Sequence, residues 1–237
     1  MTADPVVTRA RALWCELAGV PVEFGRTGTS VAVSPGSGLC PPSWAGIVLL
    51  DGAAIATAPT AEAAARLRGA AAGRAPEELV DAAVLRSLLP VARTLGPAAL
   101  AYLSAADFRP APVPVAEVPR GHPRVADLSA GVGREDADES ALDEITSPAF
   151  AVFEDGEVTA AAGYRLWPRR VAHLSVLTAT RHRGRGLARA AASAAVAHAL
   201  GAGLLPQWRA RPEPSRRVAR ALGFRERGAQ LSLRLTD

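Results

Sequence analysis

Apolar and polar positions alternate with different periods along this chain, and each change of period marks an element. Pro5 to Ala18 spaces its apolar residues as a helix does. WAGIVLLDGAAIATAP then sets two apolar runs around Asp51-Gly52, a dipeptide that favours a two-residue hairpin turn because both positions accept a positive φ. Thr60 caps an alanine-rich helix that runs through Ala72. Pro110, Pro112, Pro114, Pro119 and Pro123 follow in a cluster that neither a helix nor a central strand can cross. The cluster predicts a boundary near residues 110–124, with one domain over 1–112 and a second over 113–237. Beyond it the pattern predicts a helix from Asp136 to Thr146 and a second hairpin, AFAVFEDGEVTAAAGYRLW, around Asp155-Gly156. VAHLSVLTA reads as a strand, Gly186 to Leu200 as a helix closed by Gly201, and LLPQWRA as a short strand. Ser215 to Leu222 is a helix stopped by Gly223, and ERGAQLSLRL supplies the last strands. The order describes an α/β domain preceded by a smaller α/β domain.

Length and composition agree with that division. A chain of 237 residues suits two domains of about 100–150 residues, and 49% hydrophobic with 21% charged residues can build packed cores. No basic start leads into an apolar run, and no run approaches the roughly 18–20 residues that span a bilayer, so a soluble, cytoplasmic protein is expected. Cys15 and Cys40 are the only cysteines and show no ligand spacing, which predicts reduced structural thiols and no metal site.

Charge changes the picture more than its total of +4 suggests. All basic residues are arginine; residues 1–115 carry nine of them against nine acids, and residues 116–157 carry three against eleven. Residues 158–237 reverse this, with fifteen arginines against three acids and no acid between Val158 and Pro212. Such a stretch attracts phosphate, whether of a nucleotide or of nucleic acid, and the acidic stretch beside it suits a cationic acceptor. Each also reads as a solvated face. The arginine-rich half lacks the interleaved exposed aromatics that base stacking needs, which argues against nucleic acid as the partner.

The chemistry concentrates in VAHLSVLTATRHRGRGLARAAASAAVAHAL, where a strand runs into Arg181-x-x-Gly184-x-Gly186 and the glycines open a helix. Free N–H groups at a helix N-terminus favour an anion, and glycines let it come close. Arg183, Arg185 and Arg189 add charge-assisted donors. The dinucleotide fingerprint and the P-loop are both absent. The segment instead resembles the [Q/R]-x-x-G-x-[G/A] motif of the GNAT acetyltransferase superfamily, and SRRVARALGF, Ser215 to Phe224, resembles that family's later helix with its Leu-Gly-Phe ending.

The resemblance implies a mixed, mostly antiparallel sheet flanked by helices, and transfer of an acetyl or similar group from acyl-coenzyme A to a primary amine. Carried over, the strand edge at Val176, Leu177 and Thr178 holds the pantetheine arm. Arg181 and the backbone of Arg183, Gly184, Arg185, Gly186, Leu187 and Ala188 hold the pyrophosphate. Two positions depart from the family pattern: Pro212 replaces a frequent asparagine, and Ala219 replaces a tyrosine that commonly reprotonates the leaving thiolate. Ser215 or a water is then the candidate acid.

His173 is the candidate base, because an unperturbed imidazole titrates near neutrality. Glu144 and Glu139, on the helix that borders the acceptor site in this fold, are candidates to hold or deprotonate the amine. Tyr164 and Trp167 line the acceptor pocket or belong to the core, and His182 and His198 read as solvated. The first domain shows no catalytic constellation; it reads as a degenerate GNAT-like module, a wall of the acceptor cleft or a surface for a homodimer. A non-catalytic acyl-CoA-binding regulator is the competing reading, favoured by the two departures.

Overall fold

The computed structural model of the chain describes residues 4–25, 28–111 and 113–236. Met1 to Ala3, Arg26, Thr27, Asp237 and Pro112, the residue that closes the predicted first domain, lie outside the described residues. The chain forms two compact units: residues 1–101 with 210–212 and 226–237, and residues 102–209 with 213–225.

In the first unit, Asp4 caps α1 (Pro5–Leu17) by accepting from Val6 N at 2.9 Å, and Pro5 fits the first turn, where an N–H has no intrahelical acceptor. β1 (Thr29–Val33), β2 (Ala45–Leu50) and β3 (Ala53–Ala58) follow. β2 and β3 form the predicted hairpin, with Asp51 at φ 44° and Gly52 at φ 74°. Both strands are buried along their whole length, as continuous apolar runs require. β1 joins β3 in parallel. Thr60 caps α2 (Ala61–Ala71) through Ala63 N at 3.1 Å, and Ala64, Leu67 and Ala70 form its buried stripe. α3 (Ala82–Leu88) and β4 (Val91–Tyr102) come next, neither of them predicted. The strand that closes the chain, Arg225–Leu235, is a single strand and pairs antiparallel with β2.

The second unit begins with β5 (Ala116–Val118), α4 (Pro123–Ala130) and α5 (Arg134–Ser140). The predicted helix over Asp136 to Thr146 ends early: Ala141 takes a left-handed φ of 45°, and Leu142–Glu144 form a separate 3-10 turn. β6 (Ala149–Glu154), β7 (Glu157–Trp167), β8 (Val171–Thr178), α6 (Leu187–Gly201), β9 (Leu205–Ala210) and α7 (Glu213–Ala221) complete it. Pairings of β5 with β6, β6 with β7 and β7 with β8 are antiparallel, and β8 with β9 is parallel. This is the mixed, mostly antiparallel sheet flanked by helices that the resemblance implies. Val125, Leu128, Leu142, Ile145, Ala161 and Leu177 share one core cluster, while α6 packs against β6, β7 and β8. No helix among the described residues is long and apolar enough to cross a membrane.

Candidate active site

β8 and β9 hold together through three rungs only, Val171 with Leu205, Ala172 with Pro206 and His173 with Gln207. On its other side β8 stays paired with β7 along its whole length. From Leu174 to Thr178, therefore, one edge of β8 has no strand partner among the described residues. Unpaired strand N–H and C=O groups are a template for a ligand that carries amides of its own. Val176, Leu177 and Thr178, singled out from the sequence, all lie on this edge. Thr178 Oγ1 is buried and has no hydrogen-bond partner among the described residues.

Past Thr178 the chain turns into α6 through Gly184 at φ 79° and Gly186 at φ 80°. A Cβ built on either glycine meets nothing within 4 Å, so the backbone angle, and not lack of room, calls for glycine here. Gly186 caps the helix without a side chain, and the first helical bond is Ala190 N to Gly186 O at 3.1 Å. The N–H groups of Leu187, Ala188 and Arg189 precede that bond, at the positive end of a helix of 15 residues. The segment from Arg183 to Gly186 is exposed. Open edge, glycine turn and unused N–H donors thus form one continuous path along β8 into α6.

Residues 147–229 match the family model of the GNAT acetyltransferases. The match spans 83 of the 237 residues of the chain. The matched GNAT region contains the open edge, the glycine turn, α6 and α7, and acyl transfer is the chemistry for which the family is named. Among solved structures, the chain is similar to a protein of Novosphingobium aromaticivorans DSM 12444 assigned to the GNAT family, at 22% identity and a TM-score of 0.50. That match covers 60% of this chain and 65% of the other, so the chain spans just under two thirds of the relative's length. A GCN5-related N-acetyltransferase from Kribbella flavida is similar at 20% identity and a TM-score of 0.49, with 64% and 62% covered. The first likeness is one of fold. No curated protein matches the chain.

The GNAT motif's arginines are placed differently from the expectation. Arg183 donates to Asp136 of α5 at 2.7 Å, and Arg185 grips Glu154 of β6 with two bonds of 2.8 Å. Arg181 Nε donates to His182 Nε2 at 2.9 Å, and His182 Nδ1 lies 2.7 Å from Arg185 and 3.1 Å from Glu154. His182 is therefore a clasped, part-buried side chain and not the solvated one the sequence suggests. Hydrogen bonds from Arg185 hold the Glu154 carboxyl below its ordinary range. For a phosphate the turn offers its backbone first, with two guanidiniums already carrying carboxylates. Arg189 is the exception, part-buried with a buried Nε that has no partner among the described residues.

The three catalytic candidates are equally specific in their surroundings. His173 stacks on Trp167 at 4.1 Å between ring centroids. Burial first, and then the Arg209 charge, push its pKa down to about 3, so the ring is neutral at physiological pH and takes up a proton poorly. The facing Gln207 side chain opposes this shift by hydrogen bonding to the ring. Glu144 lies on the 3-10 turn, exposed and ion-paired with Arg165. Ser215 Oγ accepts from Trp208 Nε1 at 3.0 Å, which leaves its own hydroxyl proton to donate. Ala219 is buried at 2% exposure, so no side chain reaches out where the family often has tyrosine. Tyr164 is a core residue whose hydroxyl bonds His198 Nδ1 at 2.9 Å, and His198 packs on Phe150 besides, so neither is solvated.

Sequence reasoning missed Gln207, Arg209, Asp136 and Glu154. Gln207 did carry a signal: it is a polar side chain inside the apolar strand Leu205–Ala210, and it is 0% exposed. The acids carried none, since their role depends on which arginine folds against them.

Proposed function

We propose that the C-terminal unit binds an acyl-coenzyme A, acetyl-CoA in the first instance, and passes the acyl group directly to a primary amine. The open edge of β8 carries this reading, because its N–H and C=O groups have no strand partner and the chain runs on from them into a helix N-terminus, which suits an amide-bearing, phosphate-ended ligand. Val176, Leu177 and Thr178 would hold the pantetheine amides. The N–H groups from Arg183 to Ala188, with Arg189, would hold the pyrophosphate. The orphaned Thr178 Oγ1 and Arg189 Nε fit such a ligand, since a buried polar atom without a partner is costly.

When bound, an acyl-CoA supplies a thioester whose C–S bond gives way to a C–N bond, one amine proton leaving with the sulfur as a thiol. The chain's own part is to orient and to handle that proton. Ser215, with its hydroxyl proton free, is the donor of choice. His173 is too weak a base to carry a proton and serves as a neutral hydrogen-bonding group. Glu144 acts as a base only after Arg165 releases it. Positioning supplies the larger share of the rate.

A second reading, a binding module without turnover, draws on one observation: Ala219 stands where an acid is usual and none of the three candidates is a poised base. Calorimetric titration with acetyl-CoA, run beside a thiol-release assay over a panel of amines, separates the two. Micromolar binding with amine-dependent release is the expected outcome; binding without release supports the module, and no binding removes both.

A further inference from the structure

Two carboxylates reach the glycine turn from different elements, and they hold it differently. Glu154, the last residue of β6, accepts from both terminal nitrogens of Arg185 at 2.8 Å and lies 3.1 Å from His182 Nδ1. Arg181 closes the cluster on the other ring nitrogen of His182. One carboxylate thus pins residues 182 and 185, on either side of Arg183 and Gly184. Arg183 instead donates through one nitrogen to Asp136 of α5, at 2.7 Å. The side chains of Glu154 and His182 keep 30% and 17% of their surface exposed, whereas Arg183 and Asp136 keep 48% and 44%. A two-pronged pair in a part-buried setting outlasts a single bond between half-solvated ends, which is worth little in water.

α5 gives Asp136 little support. It runs only from Arg134 to Ser140, has no buried residue and no side-chain bond at its N-cap, and ends at left-handed Ala141. The neighbouring acids are placed elsewhere. Asp138 pairs with Arg134, Glu157 with Arg124 and Glu144 with Arg165, while Asp155 forms the β6–β7 turn, Asp143 lies on the 3-10 turn past Ala141, and Glu135 is exposed on α5. Asp136 is therefore the carboxylate that an anion arriving at the turn meets on Arg183.

Resting on the acyl-CoA reading above, we propose that these two carboxylates act on cofactor affinity with opposite signs: Asp136 competes with the phosphates for Arg183, and Glu154 positions the turn that receives them. Arg183 swings from Asp136 to a phosphate at the α6 N-terminus, and Asp136 passes into water at small cost because it is already half-exposed. Arg185 stays on Glu154 and keeps the N–H groups from Gly184 to Ala188 in place. Charge alone gives both acids the same sign, since removing either makes the site more positive and favours a polyanion. Opposite signs are the mark of a competitor and a positioning residue.

Acetyl-CoA, and S-acetylpantetheine as the same arm without phosphates, are titrated calorimetrically into the whole protein and three variants at about 0.15 M salt, where distant exposed charges are screened. Asp136→Asn should tighten acetyl-CoA about two- to fivefold, the scale of an exposed ion pair. Glu135→Gln, the same charge change one residue along α5, should leave the Kd within about 1.5-fold. Glu154→Gln should weaken acetyl-CoA at least threefold and S-acetylpantetheine less than twofold. The proposal is overturned by an Asp136→Asn protein that binds acetyl-CoA no more tightly than wild type, or by equal tightening in Glu135→Gln. A Glu154→Gln protein that keeps or gains affinity overturns it too, as does one that loses both ligands equally, which marks general damage to the fold. A wild-type protein that does not bind acetyl-CoA removes the acyl-CoA reading itself, an outcome distinct from wrong signs among binding variants.

Discussion

Gly184 and Gly223 both sit at positive φ, 79° and 98°, yet their surroundings ask for glycine on different grounds. A Cβ on Gly223 would lie 2.0 Å from the Asp107 carbonyl oxygen, a backbone atom that cannot step aside, whereas one on Gly184 meets nothing within 4 Å. Gly223→Ala is expected to cost more than about 3 kcal/mol, combining a left-handed backbone with overpacking. Gly184→Ala should cost about 1–2 kcal/mol, the backbone term alone. Gly184→Val should in addition weaken acetyl-CoA at least tenfold by filling the approach to the turn. Urea unfolding and calorimetry give all three values, and equal stability losses at the two glycines would contradict the packing argument. From the sequence both glycines read as helix punctuation, which holds locally. The difference between them depends on Asp107, more than a hundred residues away, and so was not legible. The same limit hid the chemistry of His173: a histidine titrates near neutrality until the fold supplies burial and two guanidiniums.

At the scale of elements, local signals were legible where local chemistry decides. Both Asp-Gly hairpins formed, with Asp155 at φ 50° and Gly156 at φ 80° in the second, and α6 begins after Gly186 as the motif requires. The acidic helix was misread at its end because nothing in ALDEI stops a helix; Ala141 takes its left-handed turn while its carbonyl accepts from Ser175 Oγ at 3.2 Å. α6 also runs one residue further than expected, to Gly201, and the left-handed glycine that follows it is Gly203. The glycine turn is tied to β6 by the Glu154 cluster, a link between elements that has a pH signature. Glu154 is held below its ordinary value of 4.5, chiefly by Arg185. A depressed carboxylate stabilises the fold above its unfolded pKa and loses that contribution as pH falls through the folded one. The wild-type Tm should therefore fall more steeply than that of Glu154→Gln below about pH 5, and the variant should be the less stable of the two at pH 7. Parallel Tm–pH curves for the two proteins would show that the cluster does not anchor the turn.

The first compact unit draws on both ends of the chain, and this has a consequence for how it can fold. Residues 228–233 pair with β2 from Leu50 back to Ala45, and Leu231 and Leu233, each 0% exposed, share a core cluster with Ile47, Leu67 and Leu85. Gln230 Nε2 donates to the Leu39 carbonyl at 2.6 Å, and Arg227 pairs with Asp4 at 2.7 Å. The sequence shows that ERGAQLSLRL is a strand, but a strand's partner follows from register and burial across the whole unit, which no local pattern encodes. A chain that stops at residue 112 would leave the β2 backbone unpaired along one side and two leucine-sized voids in its core. Losing a buried leucine costs about 2–5 kcal/mol, and a whole domain is stable by only about 5–15 kcal/mol. Residues 1–112 alone should therefore show no cooperative thermal transition. Adding a synthetic peptide of residues 226–236 should restore one, with a Tm that rises with peptide concentration, because the peptide binds only the folded form. If the 1–112 chain melted cooperatively at the temperature of the intact protein, the closing strand would be an accessory of this unit and not part of its core.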